Sequence, residues 1–248
     1  MVANRFSKIM TNQPGAPLPS NEAERLKALA EYEILDTEAE RHYDDITFIA
    51  STICGVPIST MTLIDKERQW FKAKVGLTAT ESPREQAFCG FTILQTELMV
   101  VADAQNDERF AKNPLVTGDP KIRFYAGMPL INPQGFALGA LCVIDRKPRT
   151  LDATQKRALE ALGRQIINQL ELRRTTKRLT EEISRVKTLH GLLPICSFCK
   201  GIRNDKGYWV KVEDYIKSHS DANFTHGICE KCGEQHYPEL YKTMKKPK

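Results

Sequence analysis

Apolar residues near the start of the chain recur at helical spacing. Behind the polar opening Asn21-Glu-Ala-Glu24, residues Leu26, Leu29 and Ala30 share one face. A short polar residue followed three positions on by glutamate is a helix-opening pattern, so a short helix is predicted here. Thr37-Glu-Ala-Glu40 repeats that opening ahead of Tyr43, Ile46, Ile49, Ala50 and Ile53. It predicts a second, longer helix ended by Gly55-Val56-Pro57.

The period then changes. Ile58 to Ile64 and Gln69 to Val75 read as strands joined by a turn at Asp65-Lys66-Glu67. A short helix through Glu85 to Leu94 and a strand at Leu98 to Ala102 come next. Asp103 to Pro120 is polar, carries two prolines and is long enough for a binding loop. Phe124 to Ile131 and Phe136 to Ile144, joined through Asn132-Pro-Gln-Gly135, are apolar at adjacent as well as alternating positions. Such strands are deeply buried on at least one face. Asp152-Ala-Thr-Gln155 caps a final helix running to about His190, with Gly163 as its one glycine. Two helices, a run of antiparallel strands and a closing helix make an α+β sandwich.

That final helix has two apolar rows. Leu159, Leu162 and Ile166 suit a seam against the preceding domain. Leu172, Thr176, Leu179, Ile183, Val186, His190 and Leu193 then follow in alternating steps of four and three. That is the heptad pattern of a coiled coil, which predicts a parallel homodimer. A skip of phase near residues 169–172 separates the rows. The other reading is a single helix packed back on its own domain.

Composition narrows the class. The chain has 248 residues, 41% apolar and 27% charged, as expected of a medium globular domain with a smaller companion. Its longest apolar run, Phe136 to Ile144, is far short of the roughly 20 residues of a spanning helix. Residues 1–20 have no apolar signal-peptide core and read as a disordered lead-in, so a cytoplasmic location without membrane attachment is expected. The net charge of +5 is concentrated as +3 over residues 171–190 and +4 over residues 241–248. These runs read as a solvated helix face and a solubilising tail.

Seven cysteines fit no closed set of disulfides. Four form Cys196-Ser-Phe-Cys199 and Cys229-Glu-Lys-Cys232, with 29 residues between the pairs. Two residues between cysteines let both sulfurs reach one tetrahedral ion, and two pairs complete a closed shell. A structural zinc on Cys196, Cys199, Cys229 and Cys232 is therefore expected. It would also supply the stability that so short a segment cannot obtain from a core. An iron–sulfur cluster or a pair of redox disulfides would use the same residues. His226 and His236 are read as neighbours of the site rather than ligands. Cys54, Cys89 and Cys142 are read as buried and inert, with no activating histidine or partner cysteine nearby in the sequence.

Glu22-Ala-Glu-Arg-Leu26, Tyr32-Glu-Ile-Leu-Asp36, Arg68-Gln-Trp-Phe71, Pro83-Arg-Glu-Gln-Ala-Phe-Cys89, Asn113-Pro-Leu-Val116, Ile122-Arg-Phe-Tyr-Ala-Gly127 and Gly139-Ala-Leu-Cys-Val-Ile-Asp145 resemble, in that order, the GAF domains of bacterial sensor kinases and diguanylate cyclases. The resemblance implies an antiparallel sheet with helices on one face and a ligand pocket under loops on the other. It does not name the ligand. The Asn-Lys-Phe-Asp signature of the cyclic-nucleotide group is absent, with Asn106 and Phe110 a partial echo. Trp70, Arg84, Phe88, Cys89, Arg123 and Tyr125 are the candidate pocket residues. Arginine can pair an anionic group and aromatic rings can stack on a planar one. The competing reading makes the rings core residues and the arginines surface ones.

Gly191-Leu-Leu-Pro-Ile-Cys-Ser-Phe-Cys-Lys-Gly-Ile-Arg203, Gly207-Tyr-Trp209, Tyr215-Ile216 and His226-Gly-Ile-Cys229 resemble a short C-terminal module that follows response-regulator, PAS and GAF domains in bacteria. The organisation expected is a lead-in (1–20), a GAF sensor domain (21–151), a signalling helix (152–190), a zinc-binding module (191–241) and a basic tail (242–248). The function expected is a sensor and adaptor that reads a small molecule or redox state and signals through a dimeric helix to a downstream signalling protein. No kinase, cyclase, phosphodiesterase or receiver segment is recognisable, so no enzymatic activity is expected. Two alternatives stand beside this reading. A methionine sulfoxide reductase would require two of Cys54, Cys89 and Cys142 to approach each other. A nucleic-acid-binding zinc protein would use Arg203, Tyr208, Trp209 and Lys211, and is the less favoured partner reading.

Overall fold

A computed structural model of the chain describes residues 15–185, 193–204, 206–220 and 222–240. Most of the expected lead-in, Val186 and His190 of the heptad row, and the basic tail lie outside the described residues. The chain divides into two compact units between Arg178 and Leu179. Each is taken by itself.

The first unit begins with α1 (Glu22–Ala30) and α2 (Arg41–Cys54). Helix α2 ends where Gly55 takes a left-handed φ of 62° and its N–H caps the last turn. The second expected helix opening does not form: α2 starts at Arg41, with Glu40 as its N-cap. Thr37 is occupied elsewhere, donating to the Ile34 carbonyl and accepting from Lys72. Strands β1 (Ile58–Ile64), β2 (Arg68–Val75) and the short, unanticipated β3 (Glu81–Pro83) follow. The helix expected over Glu85 to Leu94 is instead a 3-10 turn (Arg84–Gln86) and a single turn, α3 (Cys89–Thr92). The Gln86 carbonyl is committed to the Asn113 side chain at 3.0 Å, which draws the backbone out of a continuous helix. Strand β4 (Met99–Val101), α4 (Pro114–Thr117), β5 (Phe124–Ile131), β6 (Ala137–Asp145) and α5 (Ala153–Arg185) complete the order.

The strands make a six-stranded antiparallel sheet in the order β3-β2-β1-β6-β5-β4. Every residue of β1 and β6 is buried. Both faces of the centre are covered, which is why these strands do not alternate in sequence. On one face Met61, Leu63, Trp70, Phe124, Leu141 and Val143 meet Leu29, Tyr43 and Ile46 from α1 and α2 and Leu159, Ile166 and Leu170 from α5. On the other, Ile58, Tyr125, Cys142 and Ile144 pack under Phe88, Ile93, Phe110, Leu115 and Ile122 from the connecting segments. The helix-one-face, loop-other-face layout is the one implied by the resemblance.

Helix α5 opens as its sequence predicts. The Gln155 N–H donates to Asp152 Oδ1 at 2.8 Å, and the Asp152 N–H donates to Gln155 Oε1 at 3.1 Å. Beyond Leu170 its domain-facing side becomes polar. Arg173 pairs with Glu40 at 2.8 Å, Arg174 with Glu31 at 3.6 Å, Glu171 accepts from Tyr32, and Lys177 pairs with Glu33. Leu172, Leu179 and Ile183 are exposed. The skip of phase is thus a change of face, from an apolar row turned inward to one turned to solvent.

Helix α1 is tied down by charge. Arg25 is buried and holds Glu22 at 2.8 Å, and Glu22 also accepts from Arg84. Partial burial acts to raise the Glu22 pKa, but the hydrogen bonds and charges of Arg25 and Arg84 outweigh it and hold the group down at about 2, from an ordinary 4.5. A carboxylate held low in the folded state stabilises above its unfolded value and loses that contribution as pH falls. Discounted for partial solvent screening, it is worth about 1–2 kcal/mol at pH 7. Glu22→Gln should remove that amount at pH 7. The gap from the parent should shrink as pH is lowered from about 4.5 towards about 2, the window between the two values. Chemical denaturation at several pH values reads it.

The second unit holds β7 (Ile202–Arg203), β8 (Trp209–Val210), α6 (Val212–His219) and α7 (Glu230–His236). Helix α7 starts directly after Cys229. Among the described residues of this unit only Gly201, Ile202, Tyr215 and Gly233 are buried.

Candidate functional site

The face of the sheet opposite the helices carries a small, partly open cavity of about 40 Å³. Strand parity decides what reaches it. On β2, Gln69 and Phe71 point into it while Trp70 and Lys72 turn to the helices. Thr60 of β1, Tyr125 of β5 and Ile144 of β6 complete the floor. Phe88, Cys89, Leu115 and Ile122 form the roof. The roof is held by Phe88, which stacks on Phe110 at 3.9 Å between ring centres. Asn113 also fixes it, capping α4 through the Leu115 N–H at 2.9 Å while donating to Gln86.

A sulfur and hydroxyl cluster lies at one end. The Cys89 and Cys142 sulfurs are 3.1 Å apart. The Tyr125 hydroxyl donates toward Cys89 at 3.4 Å and stands 3.2 Å from Cys142, and it shares a 2.6 Å hydrogen bond with Thr92. Gly127 makes room for this: a Cβ there would stand 2.2 Å from the tyrosine oxygen and 2.7 Å from the Thr92 oxygen. Burial acts to raise the Cys89 thiol, but hydrogen bonds from Cys142, Thr62 and Tyr125 outweigh it and bring it below the ordinary value. Burial and the neighbouring Cys89 push Cys142 well above its ordinary value. Burial likewise raises Tyr125, reinforced by the two sulfurs, so it stays a donor. Gln69 Oε1 is buried and has no hydrogen-bond partner among the described residues.

Of the six pocket candidates the structure brings three together: Phe88, Cys89 and Tyr125 line the cavity. Trp70 is in the helix-side core. Arg84 lies in an open surface groove, bonded to Glu22 and the Asp65 carbonyl. Arg123 braces the loop through the Val116 and Ile122 carbonyls at 2.9 Å. Cys89 has no partner cysteine nearby in the sequence, as expected, but the fold brings it Cys142 from 53 residues away. Cys54 is apart from both, in the helix-side core, where burial pushes its thiol up to about 11. Sequence reasoning passed over Gln69 and Thr92, and only the alternation along β2 offered a signal for Gln69.

A second charged array runs from the sheet to α5. Lys72 is the extra residue of a bulge in β2, since Met61 stands opposite Ala73 and Thr62 opposite Phe71. Its side chain is fully buried, donating to Thr37 Oγ1 at 2.8 Å and the Glu38 carbonyl at 2.6 Å and pairing with Glu40 at 2.7 Å. Glu40 in turn holds Arg173 of α5. Partial burial acts to raise the Glu40 carboxyl, but Lys72, by hydrogen bond and charge, and Arg173 outweigh it and lower its pKa.

In the second unit each Cys-x2-Cys pair is a local knuckle. The Cys196 N–H donates to the Gly201 carbonyl at 2.9 Å and the Lys200 N–H to the Cys196 carbonyl at 3.0 Å. The amides of Cys199 and Phe198 lower the Cys196 thiol, and that of Cys232 lowers Cys229. Cys232, by contrast, is raised by the neighbouring Cys229. Among the described residues, no group of three or more His, Cys, Asp or Glu is gathered for an ion.

The GAF domain family matches residues 33–170, more than half of the chain. The chain belongs to the GAF domain family. A signalling or sensory role accords with that membership. This GAF protein is 38% identical over 166 residues to cyclic di-GMP phosphodiesterase PA2567 of Pseudomonas aeruginosa, a match spanning 66% of the chain and 28% of the relative. The expectation of no enzymatic activity is corrected by that finding: the relative is an enzyme, of which the match spans 28%. Among solved structures, the GAF domain of a phosphoenolpyruvate-protein phosphotransferase from Coxiella burnetii is 14% identical, with a TM-score of 0.48, covering 64% of this chain and 97% of that one. A free methionine-R-sulfoxide reductase from Neisseria meningitidis is 16% identical, with a TM-score of 0.47, covering 67% and 99%. At these identities and scores neither likeness bears on function. Among the described residues no helix is long and apolar enough to cross a membrane.

Proposed function

We propose that the chain is a sensory GAF module whose cavity controls helix α5. The carrying observation is the run of contacts from β2 to that helix. Gln69 and Phe71 line the cavity, the adjacent Lys72 bonds Glu40, and Glu40 holds Arg173. A change in the cavity that moves β2 alters the purchase of Glu40 on α5, and this is a differential contact of the kind a population shift requires. The cavity of about 40 Å³ is much smaller than the several hundred Å³ of ordinary ligand pockets. It suits a very small molecule or a chemical change in its walls, and has no room for a methionine-sized substrate beside the two sulfurs.

The outward row Leu172, Leu179 and Ile183, 61%, 58% and 72% exposed, supports a parallel homodimer through α5. Phe48, Ile49 and Ile53 of α2 are also exposed and apolar. In the second unit, Cys196, Cys199, Cys229 and Cys232 would hold a structural zinc, which would supply the stability that four buried residues cannot. Phe198 is 96% exposed, and Tyr208 and Trp209, further along the same unit, are exposed as well. They suit a docking face for a downstream signalling protein.

Native mass spectrometry of the freshly purified chain tests the assembly. The expected species is a dimer carrying one zinc per chain, and Leu179→Asp with Ile183→Asp should give a monomer that keeps its zinc. A metal-free monomer from the parent chain would contradict both the coiled coil and the zinc site.

A further inference from the structure

We propose that Cys89 and Cys142 are a peroxide-responsive dithiol that closes to a disulfide inside the GAF core. The proposal deepens the sensory reading above by naming the input, and rests on that reading only for the effect of the new bond on α5.

The two sulfurs are 3.1 Å apart, about 1 Å from bonding distance. The surroundings are built rather than incidental. Gly127 lets the Tyr125 hydroxyl reach both sulfurs, and Thr92 holds that hydroxyl in place. One member of the pair is reachable: Cys89 lines the cavity, whereas Cys142 lies behind it. The cavity volume of about 40 Å³ accepts a molecule of peroxide size, since a water needs a fraction of that space. Gln69, whose Oε1 is a buried acceptor without a partner among the described residues, lines the same space. A peroxide O–H donating to it would satisfy that atom. Large oxidants and protein disulfides are excluded by size.

The roles of the two sulfurs differ. The hydrogen bonds that lower the Cys89 thiol make it the nucleophile, and the raised Cys142 keeps its proton until the second step. The Cys89 thiolate attacks one peroxide oxygen and the O–O bond breaks. The sulfur becomes a sulfenic acid, and the departing hydroxide takes up the thiol proton as water. Cys142 then attacks that sulfur, the S–O bond breaks, and the hydroxyl leaves with the Cys142 proton as a second water. Two thiols and one hydrogen peroxide give one disulfide and two waters. The sulfurs are oxidised by two electrons and the peroxide is reduced by two. A thiol reductant reverses the change.

The closing bond links α3, which carries Cys89, to the central strand β6, which carries Cys142. Tyr125, whose hydroxyl donates toward Cys89 and stands 3.2 Å from Cys142, sits on β5 beside it and shares the floor of the cavity with β2. Oxidation therefore acts on the wall from which the path to α5 begins.

The test treats the reduced full chain with hydrogen peroxide, alkylates free thiols, and maps linked peptides by mass spectrometry. The expected result is a Cys89–Cys142 linkage, with both of these thiols lost and recovered by dithiothreitol. In Cys142→Ser, Cys89 should instead be trapped by dimedone as a sulfenic acid. Free Cys89 and Cys142 in the parent chain after oxidation of the 196–232 cysteines would overturn the proposal, as would Cys89 linked to any other cysteine. The mapping uses the parent chain, so it stands even where a variant fails to fold. Hydrogen exchange over residues 166–178, measured on the same samples, separates the two readings. A linkage that leaves this exchange unchanged supports the dithiol and counts against the coupling to α5, whereas absence of the linkage overturns the dithiol alone.

Discussion

Glu40→Ala should lower the stability of the GAF domain by about 3 kcal/mol, because it leaves a buried ammonium without its counter-charge. Lys72 has a side chain with no exposed surface and relies on Glu40 at 2.7 Å. Two neutral acceptors, Thr37 Oγ1 and the Glu38 carbonyl, remain, which keeps the loss at the lower end of the range for broken buried pairs. For a domain of this size the midpoint of thermal unfolding should fall by roughly 6–12 °C. Lys72→Met in the same background should restore most of the loss, since removing both charges costs far less than removing one. Additive losses in the double variant would show that Lys72 does not depend on Glu40. Calorimetry of the four proteins completes the cycle.

Gly139→Ala should be at least as damaging, at about 3 kcal/mol, for a different reason. A Cβ at position 139 would stand 1.9 Å from the Thr62 carbonyl oxygen and 2.8 Å from the Leu63 Cα. Both are backbone atoms of the neighbouring central strand, so no side-chain rotation relieves the overlap. The β1–β6 ladder through Leu63 and Gly139 must part instead. Gly135→Ala is the control for a merely conformational effect, because that position has a positive φ of 87° but nothing within 4 Å of a Cβ. A cost of about 1 kcal/mol is expected there. Equal losses at the two positions, read by urea denaturation, would show that strand proximity is not what matters at Gly139.

The fold was largely legible because its patterns are strong. The runs at Ile58 to Ile64 and Phe124 to Ile131 are the observed strands. The Asp152 to Gln155 opening of α5 forms both of its expected hydrogen bonds. Where local signals misled, a long-range partner had intervened. Thr37 gives its hydroxyl to Ile34 and Lys72 instead of capping a helix, and the Gln86 carbonyl serves Asn113. The site was less legible. Cys89 and Cys142 meet only through the placement of the loop above β6, which no spacing encodes. Lys72 takes its counter-charge from Glu40, far earlier in the chain, which no local pattern signals. Arg84 and Arg123 read as anion ligands but serve Glu22 and loop carbonyls. An arginine's partner is a matter of tertiary geometry rather than of its neighbours in sequence.

In the proposed mechanism the cavity and helix α5 are coupled through Glu40. Hydrogen exchange over residues 166–178 tests it most directly, comparing the parent chain with Ile122→Phe, which adds bulk to the cavity roof, in the presence and absence of Glu40→Ala. The coupling predicts that filling the cavity changes exchange in this stretch when Glu40 is present and leaves it unchanged when Glu40 is replaced. An effect of Ile122→Phe that is the same in both backgrounds, or absent from both, would contradict it.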